Sequence, residues 1–284
     1  MKKKNIIILC VCLVAILGLL ITLTFTLFSL KTITVDFRTS TLNLTATSEE
    51  IIESGKFGKG SVLFYNKDKA VKRIEEKYPY IKVINIETKF PSSFVIHVAE
   101  RQEVFVVQSE EKNYYCDENL KILKISTDAY ENNGTSPVLL KGIEIESELK
   151  EGDHIENAMY VDIYSAFLQS NLKLSMQKEI FEEIEFKKEL DTNAKQEYVN
   201  AYIKLFSGQT IKILDVNYGL KYKANLAFKV YSSLYTFIGK DYRLQSGETI
   251  TLTKEDLDSM LITCQSYYDR NHHKESETYF LLSF

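Results

Sequence analysis

A long uncharged apolar segment near the N-terminus constrains this chain more than any other feature. From Ile6 to Leu30 the sequence has no Asp, Glu, Lys, Arg, His or Pro, and Lys2, Lys3 and Lys4 come directly before it. At about 1.5 Å per residue, about 20 apolar residues in a helix already cross the roughly 30 Å hydrocarbon core of a bilayer. The segment therefore predicts a transmembrane helix over residues 5–30.

A cleaved secretory signal is the alternative interpretation of this segment. Such signals have an apolar core of only about 7–15 residues and then a small-residue cleavage site, and Thr22 to Lys31 offers no A-x-A pattern. Lysines before a span favour a cytoplasmic N-terminus, here residues 1–4, by the positive-inside rule. The residues after the span are then expected outside the cell membrane.

The part expected outside is acidic. The 284-residue chain has 35 Lys and Arg and 39 Asp and Glu; three of the lysines lie within residues 1–30, so the rest carries a formal net charge of −7. This charge opposes binding to nucleic acid or to anionic lipid surfaces, which need clustered Lys and Arg. We therefore expect protein partners, with the lipid bilayer contacted through the anchor. Sequence leaves open whether Cys116 and Cys264 form a disulfide.

Residues 31–102 show strand and helix patterns in turn. Ile33 to Leu44 is rich in β-branched residues and is expected to be extended. Thr47 is a candidate cap for a first helix and Asn66 for a second, which Pro79 ends. The order strand, helix, helix, strand, strand is completed by Ile81–Lys89, the turn Phe90-Pro91, and Phe94–Arg101.

The last of these strands alternates apolar and other side chains. Phe94, Ile96 and Val98 are expected to face a core together with Ile86, and His97 is expected on the exposed side.

Beyond residue 102 short strands dominate, with amphipathic helices expected over Glu156–Gln169 and Leu220–Phe237. A hairpin turn is predicted at Asp117 to Asn119, where Asn119 tolerates positive φ best. Four acids alternate with apolar residues, which favours a solvent-facing side of a strand or helix over acid–base chemistry. They are Glu179, Glu182, Glu183 and Glu185.

The C-terminal part offers two candidate edge strands. Because an edge strand exposes unpaired backbone groups, a partner's extended segment can add to it; ordinary pairing inside a sheet is the alternative. Between them, Thr253 is expected to cap a helix whose Leu257, Leu261, Cys264 and Tyr268 share one face. The candidate partner-binding residues are Thr249, Ile250, Thr251 and Leu252 in one strand and Tyr279, Phe280, Leu281 and Leu282 in the other.

Three residue pairs carry a family signature: Pro79-Tyr80 before a strand, Phe90-Pro91 in the turn and Glu100-Arg101 at the end of the last strand. With the single anchor and the element order, they resemble the bacterial cell-division family FtsQ/DivIB, strongly over residues 31–102 and more weakly beyond. The resemblance implies an α+β fold: a POTRA domain over 31–102, a mostly antiparallel β domain over 103–252, and a C-terminal helix and possible edge strand over 253–284.

Two departures from the family pattern stand out. The predicted hairpin has Leu120 where relatives usually have glycine, and nearly fifty residues follow Phe237 where the family usually closes with one edge strand.

The resemblance also implies a function. Members are non-catalytic, single-pass scaffolds at the division septum, without cofactor or metal, and the terminal edge of the β domain receives small bitopic division proteins resembling FtsB/DivIC and FtsL; septal peptidoglycan synthases are further candidate partners. One alternative is a chaperone-like POTRA module of an envelope translocation system. The other is an envelope ectoenzyme, but neither G-x-S-x-G nor H-E-x-x-H is present.

Overall fold

The computed structural model describes residues 3–38, 46–58, 60–109, 112–130, 136–145, 148–169, 180–191, 196–233, 236, 238–243, 247–258, 261–269 and 274–283. The chain divides into two compact units, residues 1–102 and 103–284.

The first unit begins with an apolar helix, α1 (Lys3–Leu27). Its side chains from Val11 onward are largely exposed, among them Phe25 and Leu27. Within the described residues, no helix is long and apolar enough to cross a membrane.

After α1, the first unit has the predicted order of elements. Both predicted caps are confirmed: the Thr47 hydroxyl accepts from the Glu50 backbone N–H in a capping box, and Asn66 Oδ1 accepts from the Lys69 N–H. The central strand pairs in parallel with the first strand and antiparallel with the second. The elements are β1 (Thr32–Phe37), α2 (Ser48–Gly55), α3 (Lys67–Lys77), β2 (Ile81–Lys89) and the central β3 (Ser93–Glu100).

One face of this sheet packs on α2 and α3. Ile86, Phe94, Ile96 and Val98 are buried, as predicted, and contact a core that includes Ile51, Ala70 and Ile74 of the helices. The period of two in β3 therefore sets which side chains the helices cover.

His97 was expected to be exposed, and that expectation is wrong, since the residue is only 8% exposed. It lies on the face opposite the helices, but its strand is central, so both neighbouring strands flank it. The His97 Nδ1 is 2.7 Å from an Asp36 carboxylate oxygen of β1, and its Nε2 is 3.2 Å from a Glu87 carboxylate oxygen of β2.

Isoleucine truncation tests this packing with a matched control. Ile96→Ala removes a fully buried side chain and should cost about 2–5 kcal/mol of unfolding free energy, because it leaves a cavity. Ile84→Ala, in a β2 position that is 54% exposed, should cost within about 0.5 kcal/mol. Chemical unfolding followed by circular dichroism measures both, and equal losses would refute the assigned core face.

The second unit is built on a nine-stranded mixed sheet. Five neighbouring pairs are antiparallel and three are parallel, so the predicted mostly antiparallel α+β architecture agrees with the structure. The strands are β4 (Phe105–Ser109), β5 (Lys112–Cys116), β6 (Ile122–Ser126), β7 (Val138–Lys141), β8 (Phe181–Asp191), β9 (Gln196–Leu205), β10 (Thr210–Ile213), β13 (Leu261–Asp269) and β14 (Lys274–Ser283). Their spatial order is β14-β13-β10-β9-β8-β7-β4-β5-β6.

Two helices complete the core of the second unit, α4 (Ala158–Gln169) and α5 (Leu220–Ser233). The Tyr160 ring of α4 lies edge-on to Phe105, with centroids 4.7 Å apart, and Phe228 of α5 lies 5.6 Å from Phe181. A separate two-stranded sheet pairs β11 (Asp241–Arg243) with β12 (Thr249–Thr251), and the short helix α6 (Lys254–Asp258) follows.

In the turn after β5, the prediction that Asn119 takes the positive φ is wrong. Leu120, rather than Asn119, has the positive φ, at 57°. The Asp117 carboxylate accepts from the backbone N–H groups of Asn119 and Lys121, which fixes the turn around Leu120. A left-handed Leu costs roughly 1–2 kcal/mol, and burial of its side chain, only 2% exposed, offsets that cost.

The predicted extent of the C-terminal helix is also wrong. Thr253 does cap a helix, but α6 ends at Asp258, and residues 261–269 form strand β13. The apolar spacing of Leu261, Cys264 and Tyr268 was therefore misinterpreted, because pairing with β10 and β14 determines their conformation. The nine-stranded sheet thus continues past residue 252.

The acid-rich segment forms β8, apart from Glu179, which is outside the described residues. Glu183 is not the solvated group that the pattern predicted, since its residue is 7% exposed. Its carboxylate lies 2.7 Å from Lys141 Nζ and 3.2 Å from Lys204 Nζ, on the strands to either side. Burial raises the pKa of Glu183, but the two ammonium groups outweigh it and hold the pKa below its ordinary value.

Glu183 should therefore stabilise the protein in a pH-dependent way. A carboxylate whose pKa is lowered by folding stabilises fully above its unfolded value, near 4.5, and that contribution disappears as pH falls through the lower folded pKa. Glu183→Gln should cost about 1–2 kcal/mol at neutral pH, a modest value because solvent screens the half-exposed lysines.

Urea unfolding across pH measures this effect. The gap between wild type and Glu183→Gln should close in acid, whereas Glu197→Gln, at an exposed position, should change little at any pH. A gap that is constant down to the most acidic pH at which the protein folds would refute the ion pairs.

Candidate partner-binding edges

The nine-stranded sheet has two outer strands, β6 and β14, and they are protected differently. Loop residues 150–155 cover β6: Ile122 donates its N–H to the Asp153 carbonyl at 2.8 Å and accepts from the Gly152 N–H at 2.8 Å. Leu120 and Ile155 add a further backbone bond beside it. The start of the β6 edge is therefore already paired within the chain, and further along Ile125 donates its N–H to a Glu151 carboxylate oxygen.

β14 is the other outer strand. It pairs with β13 from Leu261↔Ser283 to Asp269↔Lys274, with one register shift at Tyr267/Tyr268. Within the described part of the chain, no strand pairs with its outer side. All four predicted residues of this segment, Tyr279, Phe280, Leu281 and Leu282, lie in β14, opposite Gln265, Cys264, Thr263 and Ile262.

The other predicted segment, Thr249–Leu252, lies outside the nine-stranded sheet. Thr249, Ile250 and Thr251 form β12 and pair with β11. Leu252 is only 1% exposed, and its backbone already bonds Gly239 and Lys240. The structure thus separates the two candidates, and β14 alone of the two extends the large sheet.

The signature residues of the first unit have structural roles. Arg101 donates its backbone N–H to the Tyr80 carbonyl, and its guanidinium lies 2.9 Å from a Glu75 carboxylate oxygen. The other Glu75 oxygen accepts from the Val83 N–H at 2.8 Å, where β2 is bulged. One carboxylate of α3 therefore ties the helix to the end of β3 and to β2.

The other signature residues surround this junction or form the turn at the opposite end of the sheet. Pro79 and Tyr80 lie in the turn between α3 and β2, and Glu100 pairs with Ile81. Phe90 and Pro91 connect β2 to β3, as predicted.

Charge removal distinguishes the Arg101 pair from an ordinary surface pair. The Arg101 and Glu75 side chains are only 7% and 17% exposed. Arg101→Ala removes the charged partner of a largely buried carboxylate and should therefore cost about 3–5 kcal/mol of unfolding free energy. Lys72 pairs with Glu76 at 3.7 Å with side chains 77% and 61% exposed, and Lys72→Ala should cost less than about 1 kcal/mol. Similar losses of unfolding free energy in the two variants would contradict this role for Arg101.

Two structurally important residues were missed from sequence. In the sequence, Glu75 resembles any charged residue on the exposed side of a helix. Its role is seen only in the structure, where it accepts from the Val83 N–H at the bulge of β2. Lys223 is 1% exposed, and its Nζ donates to the carbonyls of Leu214 (2.5 Å) and Asp215 (2.6 Å), which fixes the turn before α5. The available signal was its spacing, since Lys223 falls on the same helix face as Ala227 and next to Ala224 and Phe228, all of them buried.

Among the described residues no group of three His, Cys, Asp or Glu side chains could hold a metal ion; His272 and His273 lie outside those residues. Cys116 is a buried thiol, and burial raises its pKa well above the ordinary value, which disfavours the nucleophilic thiolate.

Comparison with known proteins adds independent information. The family model of the FtsQ-type POTRA domain matches residues 28–101. A cell division protein DivIB from Clostridium acetobutylicum is 35% identical over 101 residues, which cover 35% of this chain and 39% of that protein. A second DivIB, from Clostridium tetani, is 30% identical over 82 residues, which cover 29% of this chain and 31% of that protein. The alignments thus span about two fifths or less of these relatives.

Proposed function

Because this chain belongs to the FtsQ/DivIB family of cell-division proteins, we propose that it is a non-catalytic, membrane-anchored scaffold of the bacterial division machinery. The family resemblance inferred from the signature at residues 79–101 is confirmed, and so is the POTRA domain that it implied. The scaffold role, its partners and its location extend beyond those findings.

The proposed anchor is the apolar segment of α1. Its uncharged run from Ile6 to Leu30 and the lysines before it support a single span with the N-terminus in the cytoplasm. The part of the first unit that follows the span, together with the whole second unit, then lies outside, at the division septum. Confinement to the membrane raises the effective concentration of partners in the same bilayer, so weak contacts suffice for assembly.

The proposed partner site is the outer side of β14. The observation that carries this proposal is the asymmetry of the sheet: loop residues pair with β6, whereas β14 has no described neighbour on its outer side. Unpaired N–H and C=O groups of an outer strand accept an extended segment of another chain. The partners proposed are small bitopic division proteins resembling FtsB/DivIC and FtsL, which then bring the septal peptidoglycan synthases into the complex.

Proline scanning of β14 tests this site. Successive N–H groups of a strand point to opposite sides, so of Leu281→Pro and Leu282→Pro one removes a donor to β13 and the other removes an outward donor. The variant that loses the inward donor should lower stability. The other should fold normally and lose most binding, because proline removes an augmenting bond and clashes with an added strand.

Binding is measured by pull-down of the co-expressed small bitopic division proteins after folding of each variant has been checked by circular dichroism. Thr251→Pro is the matched control in β12 and should retain binding. If the folded β14 proline variant captures partners as well as wild type, the β14 site is wrong; loss only in Thr251→Pro would move the site to β12.

A further inference from the structure

The junction between α1 and the first sheet is short and tightly bonded. Only residues 28–31 separate the helix from β1. Leu30 donates its N–H to the Gly60 carbonyl at 2.9 Å, Lys31 donates to the Ser92 carbonyl at 2.8 Å, and Val62 donates back to the Phe28 carbonyl at 2.8 Å. Two loops of the POTRA domain, at 60–64 and at 90–92, are therefore fixed beside the end of α1.

These same two loops expose large apolar side chains. Leu63 is 45% exposed, Phe64 76% and Phe90 66%. The Phe90 ring also stands edge-on to Phe28, with ring centroids 6.2 Å apart. We call Leu63, Phe64 and Phe90 the helix-exit rim.

The rim continues the apolar surface of the helix. The last turns of α1 expose Phe25 (58%) and Leu27 (48%), and the rim follows directly at the junction. Lys31 and Lys89 lie beside it; both are exposed, and Lys89 also pairs with Glu87 at 2.5 Å. Long lysine side chains at such a border can place their ammonium groups at the level of the lipid headgroups. Apolar rings bordered by lysines are typical of groups that lie at a membrane interface.

We propose that the helix-exit rim inserts into the interfacial layer of the same bilayer that α1 enters, so that the POTRA domain rests on the membrane instead of standing clear of it. The inference rests on the proposed anchoring of α1. Its consequence is orientational: with the helix end bonded to two POTRA loops and the rim held by lipid, the domain has little freedom to tilt about residues 28–31.

Single-tryptophan fluorescence can test this contact directly, because the natural chain has no Trp. The full chain is placed in nanodiscs of phosphatidylglycerol and phosphatidylethanolamine whose acyl chains are unbrominated, brominated near the headgroup, or brominated near the chain ends. Phe64→Trp and Phe90→Trp replace exposed rings by rings, and near-ultraviolet circular dichroism checks their folding. Both emissions should shift to the blue and should be quenched by the lipid brominated near the headgroup.

Two controls separate this proposal from the anchoring on which it rests. Ile84→Trp, at a 54% exposed position of β2, should not be quenched by either brominated lipid, and Leu17→Trp, near the middle of α1, should be quenched by the lipid brominated near the chain ends. If Leu17→Trp is quenched but the rim variants behave like Ile84→Trp, the rim proposal is overturned while the anchor stands. If Leu17→Trp is not quenched, the anchor fails and the rim proposal with it.

Discussion

Among the described residues, helices pack on one face of the three-stranded sheet and on one face of the nine-stranded sheet, and the rest of the structure depends on that constraint. Because side chains alternate along β3, Phe94, Ile96 and Val98 pack against α2 and α3. In the same way, Ile184 and Phe186 of β8 pack in the core of the second unit. On the opposite face of each sheet, polar groups must then find hydrogen-bond or ionic partners. Because a central strand is flanked on both sides, these groups are partly buried even without helices above them.

The faces opposite the helices meet this requirement with ionic groups from neighbouring strands. His97 lies between the carboxylates of Asp36 and Glu87, and Glu183 lies between the ammonium groups of Lys141 and Lys204. In both cases the central side chain is more buried than its type suggests, and its partners come from distant parts of the sequence. These ionic contacts help to determine which strands are neighbours, whereas the apolar cores determine which face of each sheet packs against helices.

Features set by residues close in sequence could be predicted from the sequence, and features set by residues far apart in sequence could not. Caps at Thr47 and Asn66, the Phe90-Pro91 turn and the buried face of β3 depend on residues close in sequence, and all were predicted. The burial of His97 and Glu183, the positive φ of Leu120 and the strand conformation of residues 261–269 depend on pairing between distant segments. The β14 edge was a candidate from sequence, but only the strand order of the sheet distinguished it from β12.

The central claim is that a partner adds to the outer side of β14, and amide hydrogen exchange on the full chain with a co-purified small bitopic division protein tests it most directly. An added strand bonds only the N–H groups that point outward. The account predicts that binding slows exchange at alternate residues of Lys274–Ser283, with the POTRA domain unchanged. Slower exchange confined to the POTRA domain, with β14 exchanging as in the free protein, would contradict it.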